Sequence, residues 1–179
     1  LLGLIRPTSG SVRVMDVDPA SSASSTVKRS LGFLPETVAF QHAMTGIEVM
    51  NFYGRLKRTD LSRNADLLDR VGLADAARNR VKTYSKGMRQ RLGLAQALLG
   101  DPKVMLLDEP TSGLDPALRR SFYDTISALK AEGVTVLLSS HALTELEIHV
   151  DKVAIMNKGQ LMATGNLDEL RANAHMPVR

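Results

Sequence analysis

Three short, nearly unbroken apolar runs divide the chain. Residues 31–34 read Leu-Gly-Phe-Leu and stop at Pro35, 104–107 read Val-Met-Leu-Leu, and 134–138 read Val-Thr-Val-Leu-Leu. Such leucine and β-branched runs suit strands buried on both faces of a parallel sheet. Between them the apolar spacing changes to three and four, which is helical. Ile47, Met50, Phe52-Tyr53 and Leu56 predict a helix over 47–58, and Leu61, Leu67-Leu68 and Val71 a second over 61–71. Met88, Leu92, Leu94-Ala95 and Leu98-Leu99 predict a third over 85–99, and Leu118, Phe122, Ile126 and Leu129 a fourth over 116–131. The alternation Ser-Val-Arg-Val-Met at 11–15 predicts a half-buried strand, and the polar 16–25 stretch a loop. Residues 153–156 and 160–163, split by Lys158-Gly159, predict a hairpin, with a short helix over 167–172. Strands alternating with helices indicate a layered α/β domain.

Composition narrows the class. The 179 residues are enough for one domain. Hydrophobic residues at 44% and charged residues at 23% disfavour global disorder. The net charge is +4, yet no more than two basic residues are adjacent, which disfavours a nucleic-acid tail. Four Phe, three Tyr and no Trp leave little for a base-stacking platform. With no cysteine, disulfides, thiolate nucleophiles and Cys-type zinc sites are excluded. The opening Leu1-Leu2-Gly3-Leu4-Ile5 has no initiator Met and no basic start, unlike a signal peptide. It reads like the tail of an interrupted helix, so the chain is expected to be a fragment.

Four segments carry candidate chemistry. Asp108 and Glu109 end the 104–107 run, and the carboxyl end of a parallel strand is where α/β sheets bind ligands. Two adjacent buried carboxylates are costly unless a cation compensates. Asp108 is therefore the candidate Mg²⁺ ligand, and Glu109 is free to orient or deprotonate a water. The plain alternative is a strand leaving into a solvated Asp-Glu-Pro turn.

The second segment, 84–91, reads Tyr-Ser-Lys-Gly-Met-Arg-Gln-Arg and opens a helix. Ser85 is a natural N-cap, and the free N–H groups behind it form an anion site. Lys86 adds charge, and Gly87 lets a phosphate approach the backbone. Basic side chains oppose the dipole at a helix N-terminus, so Lys86, Arg89 and Arg91 fit a docked anion; an ordinary capped helix is the alternative. The third segment is Ser139-Ser140-His141, which places a histidine at a strand end where it can contact a terminal phosphate and the attacking water; a capping serine followed by a surface histidine is the alternative. The other histidines, His42, His149 and His175, lack paired spacing and read as surface or loop residues. In the fourth, Ser112-Gly113-Leu114-Asp115-Pro116, Asp115 can cap the helix beginning at Pro116.

In this order and spacing, the four segments resemble the ATP-binding-cassette (ABC) ATPases over essentially the whole chain. Residues 84–88 are similar to the family signature, usually Leu-Ser-Gly-Gly-Gln. Leu107-Asp108-Glu109-Pro110 resembles the Walker B motif with its adjacent catalytic glutamate, 112–115 the D-loop, and His141 the switch histidine. Leu34-Pro35-Glu36 sits where the family's Q-loop follows a strand. The resemblance implies an α/β fold: a P-loop NTPase-like ABC ATPase domain with a parallel-sheet core and a helical subdomain over about 37–84. Residues 151–179 would form a C-terminal hairpin and helix. It implies ATP and Mg²⁺ as cofactors, Glu109 and His141 as catalytic residues, and Asp108 on Mg²⁺. Ser85, Lys86, Gly87, Met88 and Asp115 would lie at the nucleotide. Glu36 replaces the usual Gln; it can approach Mg²⁺ but is repelled by the γ-phosphate. The implied partners are a second copy, closed head to tail over nucleotide, and an integral membrane permease, with no nucleic acid. Residues 34–53 would face the permease, with Met44, Ile47 and Met50 lining the contact or simply forming core. The location would be peripheral, at the cytoplasmic face of the cell membrane.

The pattern Gly-x-x-x-x-Gly-Lys-Ser/Thr does not occur: Lys82-Thr83 is the single Lys followed by Ser or Thr, and Val81 stands where Gly is needed. Residues 1–10 resemble the segment into which the family's Walker A helix runs. Residues 1–179 are thus expected to be a partial, N-terminally truncated domain with little nucleotide affinity of its own. The Tyr-Ser-Lys-Gly-Met form with Leu-Pro-Glu resembles ATPases serving ABC-2 export permeases. Residues 80–99 and 176–179 resemble, more closely, the ATPase subunit for nitrous-oxide reductase maturation, which implies copper or sulfur supply. A soluble ABC ATPase of translation or DNA repair is the alternative. The interval between Glu36 and Ser85 disfavours it, being short, cysteine-free and without heptads.

Overall fold

The three apolar runs become strands β1 (Leu31–Leu34), β2 (Val104–Leu107) and β3 (Thr135–Leu138). They pair in that order, all parallel, with Leu34 opposite Leu107 and Leu107 opposite Leu138. All three strands therefore end at one level, and the chemistry-bearing turns emerge from one edge. The computed structural model describes residues 1–141, 146 and 148–174, the last four through their backbone alone. It divides into two units, Leu1–Ser140 and His141–Arg179.

In the first unit, helices α1 (Ser24–Arg29), α2 (Gly46–Lys57), α3 (Asn64–Arg70), α4 (Lys86–Ala97) and α5 (Pro116–Ala131) surround the sheet's sequence. Thr45 opens α2 with a reciprocal cap: its Oγ1 accepts from the Glu48 N–H, and its own N–H donates to Glu48 Oε2. Arg58 closes α2 in the left-handed region at φ 61°. The 61–71 expectation splits into a 3-10 turn, Leu61–Arg63, capped by Asp60, and then α3.

Two other expectations change. Residues 11–15 form no strand; Val14 and Val17 make a single bridge around Met15 and Asp16, both at positive φ. The loop expected over 16–25 gives way to α1 from Ser24 on. That six-residue helix has no side-chain cap, and its serine-rich sequence carries no helical signal. Burial of Val27 with Val14 and Leu31 holds it, a tertiary effect that local propensity does not reveal.

The core lies on one sheet face. Leu34, Met105 and Leu107 are buried with residues of α4 and α5. Contact there is close: a Cβ at Gly32 would stand 2.5 Å from the Ala97 carbonyl oxygen. The opposite face carries Phe33, Leu106 and Leu137 in register. Leu106 is buried, whereas Leu137 is 53% and Phe33 37% exposed. Burial on both faces thus holds for the central strand and not for its neighbours. On that face the described cluster of Val14, Val27 and Val17 covers the Leu31–Val104 end.

In the second unit, β4 (Val153–Asn157) and β5 (Gln160–Gly165) pair antiparallel as expected. Lys158 and Gly159 both have positive φ, the requirement of a two-residue hairpin turn. Helix α6 (Leu167–Ala174) follows, with Asn166 and Glu169 bonded reciprocally at its start. His175 and residues 176–179 lie outside the described residues. Among those described, no helix is long and apolar enough to cross a membrane.

Candidate functional site

The carboxyl edge of the sheet gathers the acidic residues. The Asp108 N–H donates to the Leu34 carbonyl (2.9 Å), and the Ser139 N–H to the Leu107 carbonyl (2.9 Å), so the sheet pattern continues one residue past each strand. This continuation sets Asp108 beside Ser139. The Ser139 hydroxyl donates to Asp108 Oδ1 at 2.7 Å and accepts from the Glu109 N–H at 2.9 Å. One hydroxyl therefore orients the carboxylate of one acid and the backbone of the next. Glu109 has φ 43°, a left-handed conformation uncommon for a side-chain-bearing residue and frequent at functional sites. Glu36 is exposed just past β1, on the same edge.

The premise that both acids are buried is corrected: Asp108 is exposed and Glu109 half-buried, because both lie in the turn beyond the strand. A cation is not needed here to offset desolvation. The donor chemistry still suits Mg²⁺, a hard ion that takes one or two carboxylates and fills its other positions with water and phosphate oxygens. Among the described residues, no group of three or more His, Asp or Glu side chains converges as a self-sufficient metal cage.

The second segment docks on this turn. The Gln90 side-chain amide, buried, donates to the Pro110 carbonyl at 3.0 Å and ties α4 to the acidic turn. Ser85 caps α4, accepting from the Met88 N–H at 3.2 Å. Tyr84, just before, is buried and donates to the Ala76 carbonyl at 2.7 Å, and burial pushes its pKa up. Gly87 has a packing reason of its own: a Cβ there would stand 2.5 Å from Leu118 Cδ1. Asp115 caps α5 as expected, accepting from the Leu118 N–H at 2.9 Å ahead of Pro116.

The expected cluster of three cations at the start of α4 does not form. Arg89 turns back to the Tyr84 carbonyl, and Arg91 donates to the carbonyls of Val71 and Gly72 at the end of α3. Both guanidinium groups serve as internal braces. Lys86 is exposed, with its ammonium against Gly113, where a Cβ would stand 2.2 Å from Nζ. Met88 is half-buried. His141 is exposed and begins the second unit.

A groove of about 750 Å³ along α2 is lined by Met44, Glu48, Phe52, Arg55 and Leu56 among others. Phe52 is 49% and Leu56 66% exposed. Of the two roles left open for Met50, the structure gives it the core, where it is fully buried, and Ile47 packs partly against that core. The helix turns the Phe52 side outward, and helical spacing does not say which apolar stripe faces the sheet.

Sequence reasoning read the 139–141 segment for His141 and gave Ser139 no role beyond that of a cap. Extending the Leu107–Leu138 register by one residue pairs 108 with 139 and was the available signal. For the nucleotide hydrolysis that the motif resemblance implies, Ser139→Ala in the full-length protein is expected to lower kcat about tenfold, the loss of roughly 1–1.5 kcal/mol of orienting hydrogen bonds. Ser139→Thr, which keeps the hydroxyl, should restore most of it. Steady-state assays of both variants check this, and an unchanged kcat in Ser139→Ala would show that the hydroxyl does not matter.

Comparison with known proteins gives the same assignment. The ABC transporter family pattern matches residues 1–112. An uncharacterized ABC transporter ATP-binding protein of Nostoc sp. is 41% identical over 95% of this chain and 52% of its own length. The daunorubicin resistance ATP-binding protein DrrA3 of Streptomyces coeruleorubidus is 37% identical over 94% of this chain and 54% of its own length. A solved structure of an ATP-binding subunit of an ABC transporter superposes with a TM-score of 0.85 at 26% identity, covering 97% of this chain and 74% of that one. The chain spans about half the length of the curated relatives it matches. With an acidic turn and a capped signature-like helix on one parallel sheet, the chain belongs to the ABC transporter family, as part of its ATP-binding domain.

Proposed function

We propose that the full protein is the ATP-hydrolysing subunit of an ABC transporter, coupled to an integral membrane permease at the cytoplasmic face of the membrane. The observation that carries this reading is the Asp108–Ser139–Glu109 arrangement at the carboxyl edge of the sheet. Asp108 would hold Mg²⁺, and the ion supplies charge neutralisation at the phosphates. Glu109 accepts the proton of the attacking water, with its backbone fixed by Ser139. His141 follows β3 in sequence and contacts the terminal phosphate. Ser85, Lys86 and Gly87 present the N-terminus of α4 to nucleotide held by a second copy, in a head-to-tail dimer. Met88 and Asp115 border that contact, and Glu36 approaches the ion from β1.

The α2 groove, with Met44, Phe52 and Leu56, receives an apolar segment of the permease. The Tyr-Ser-Lys-Gly-Met form at 84–88 with Leu-Pro-Glu at 34–36 supports an ABC-2 export type, and two relatives are named for daunorubicin resistance. Copper or sulfur supply to a maturing nitrous-oxide reductase is a narrower cargo reading, carried by the sequence resemblance of residues 80–99 and 176–179 alone.

Affinity purification of the full-length protein from solubilised membranes tests the proposal. A co-purifying permease is expected, lost in Phe52→Glu or Leu56→Glu while ATPase activity persists. Purification with ribosomes or DNA instead would favour the soluble reading. Unaltered copper content of nitrous-oxide reductase after deletion of the gene would remove the narrower cargo.

A further inference from the structure

A second cavity lies at the other end of the sheet, where β1 and β2 begin. It measures about 250 Å³ and is lined by Arg29, Lys57, Arg58, Arg63, Asp60 and Asp101, together with apolar side chains. These residues come from four places in the sequence: the end of α1, the end of α2, the turn before α3, and the α4–β2 connection. Four cations face two carboxylates, and both carboxylates are already engaged. Asp60 accepts from the N–H and hydroxyl of Ser62, and Asp101 is paired with Arg63. Among the described residues, the guanidinium groups of Arg29 and Arg58 have no hydrogen-bond or ion-pair partner.

Lys57 forms the floor. Its ammonium donates to the carbonyls of Leu31, at 2.9 Å, and Leu99. A third N–H remains, since an ammonium has three donors. Burial pushes the Lys57 pKa down to about 8, with the Asp101 charge pulling the other way. The Asp101 carboxylate that partly balances this cation is shared with Arg63. The rim is also strained, with Arg58 at φ 61° and Asp101 at φ 49°. Left-handed backbone at side-chain-bearing residues clusters where ligands are clamped.

We propose that this cavity binds a phosphate group, held by Arg29, Arg58 and Lys57. Guanidinium groups match phosphate oxygens in forked geometry, and a buried ammonium adds a point charge. The volume is below the usual range for drug-sized ligands, so the occupant is a single phosphate or the phosphate of a headgroup, not a whole nucleotide. The site stands apart from the acidic turn, at the amino ends of the strands.

The test uses the full-length protein with its nucleotide site filled by a non-hydrolysable ATP analogue, so that phosphate cannot enter there. Calorimetric titration with inorganic phosphate, at ionic strength held constant with chloride, should show saturable one-to-one binding with Kd on the order of 1 mM. Arg29→Gln and Arg58→Gln should each weaken it about tenfold or more, with ATPase activity and Tm unchanged. Phosphate should also move the Lys57 titration, followed by NMR at its Cε, to higher pH. Sedimentation with phosphatidylcholine vesicles, with and without phosphatidylinositol phosphate, separates the sources. Pelleting that needs both the phosphoinositide and Arg58 assigns the group to a lipid, and phosphate binding without such pelleting assigns it to a free anion. Absence of saturable phosphate binding, or equal binding by wild type and both arginine variants, overturns the proposal.

Discussion

Glu109→Gln in the full-length protein is expected to lower kcat for ATP hydrolysis by about 10²–10⁴-fold, the usual contribution of a positioned general base. The substitution is isosteric, and the backbone N–H that bonds Ser139 is unchanged, so the turn keeps its shape. ATP affinity should stay within about threefold, because the carboxylate acts on the attacking water and not on the bound nucleotide. A nucleotide-bound dimer should therefore accumulate. Single-turnover hydrolysis and equilibrium ATP binding, measured on the same preparation, separate the two quantities. Wild-type turnover in the variant would remove Glu109 from its assigned role. A matching loss of ATP affinity would mean that it binds the nucleotide instead.

Met105→Ala is expected to destabilise the protein by about 2–5 kcal/mol, the range for truncating a fully buried methionine. Met105 is 0% exposed at the centre of β2, on the face packed against α4 and α5. It also approaches Gly32 on the neighbouring strand, where its Cγ would stand 3.3 Å from an added Cβ. Few atoms there are free to collapse into the void, since the Ala97 backbone already presses on Gly32. For a domain of this size the Tm should fall by about 4–20 °C. Met105→Leu, which conserves volume, should cost less than about 1.5 kcal/mol. Thermal and urea unfolding of both variants would check the contrast. A fall below about 1 kcal/mol for the alanine variant would show that β2 is packed more loosely than described.

The sequence was most legible where local chemistry and tertiary packing agree. The 104–107 run is β2 residue for residue, because an apolar run closed by Asp-Glu-Pro has one reading as strand then turn. Helix α5 begins and ends where its cap and apolar spacing place it, with Asp115 and Pro116 at the start. Ser85 likewise announces the start of α4. Where the local signal is weak, the reading failed. Nothing in a serine-rich stretch specifies α1, and an alternating pattern at 11–15 makes no strand without a partner to pair with.

The sequence by itself determined the class of the protein: parallel strands and helices in alternation, and a motif order shared with the ABC family. Motif spacing is legible because caps, turns and apolar runs are signals carried by residues close along the chain. The tertiary structure alone decided which side chains the site contains. Arg89 and Arg91 look like anion ligands in one dimension, yet the nearby Tyr84 carbonyl claims the first and the distant carbonyls of Val71 and Gly72 the second. Met50 and Phe52 share the apolar spacing of one helix, yet Met50 is core and Phe52 turns outward. Ser139 looks like a cap and bridges Asp108 to Glu109, because parallel pairing brings together residues thirty positions apart. Hydrogen bonds and burial depend on neighbours that sequence spacing does not name, and only the folded chain supplies them.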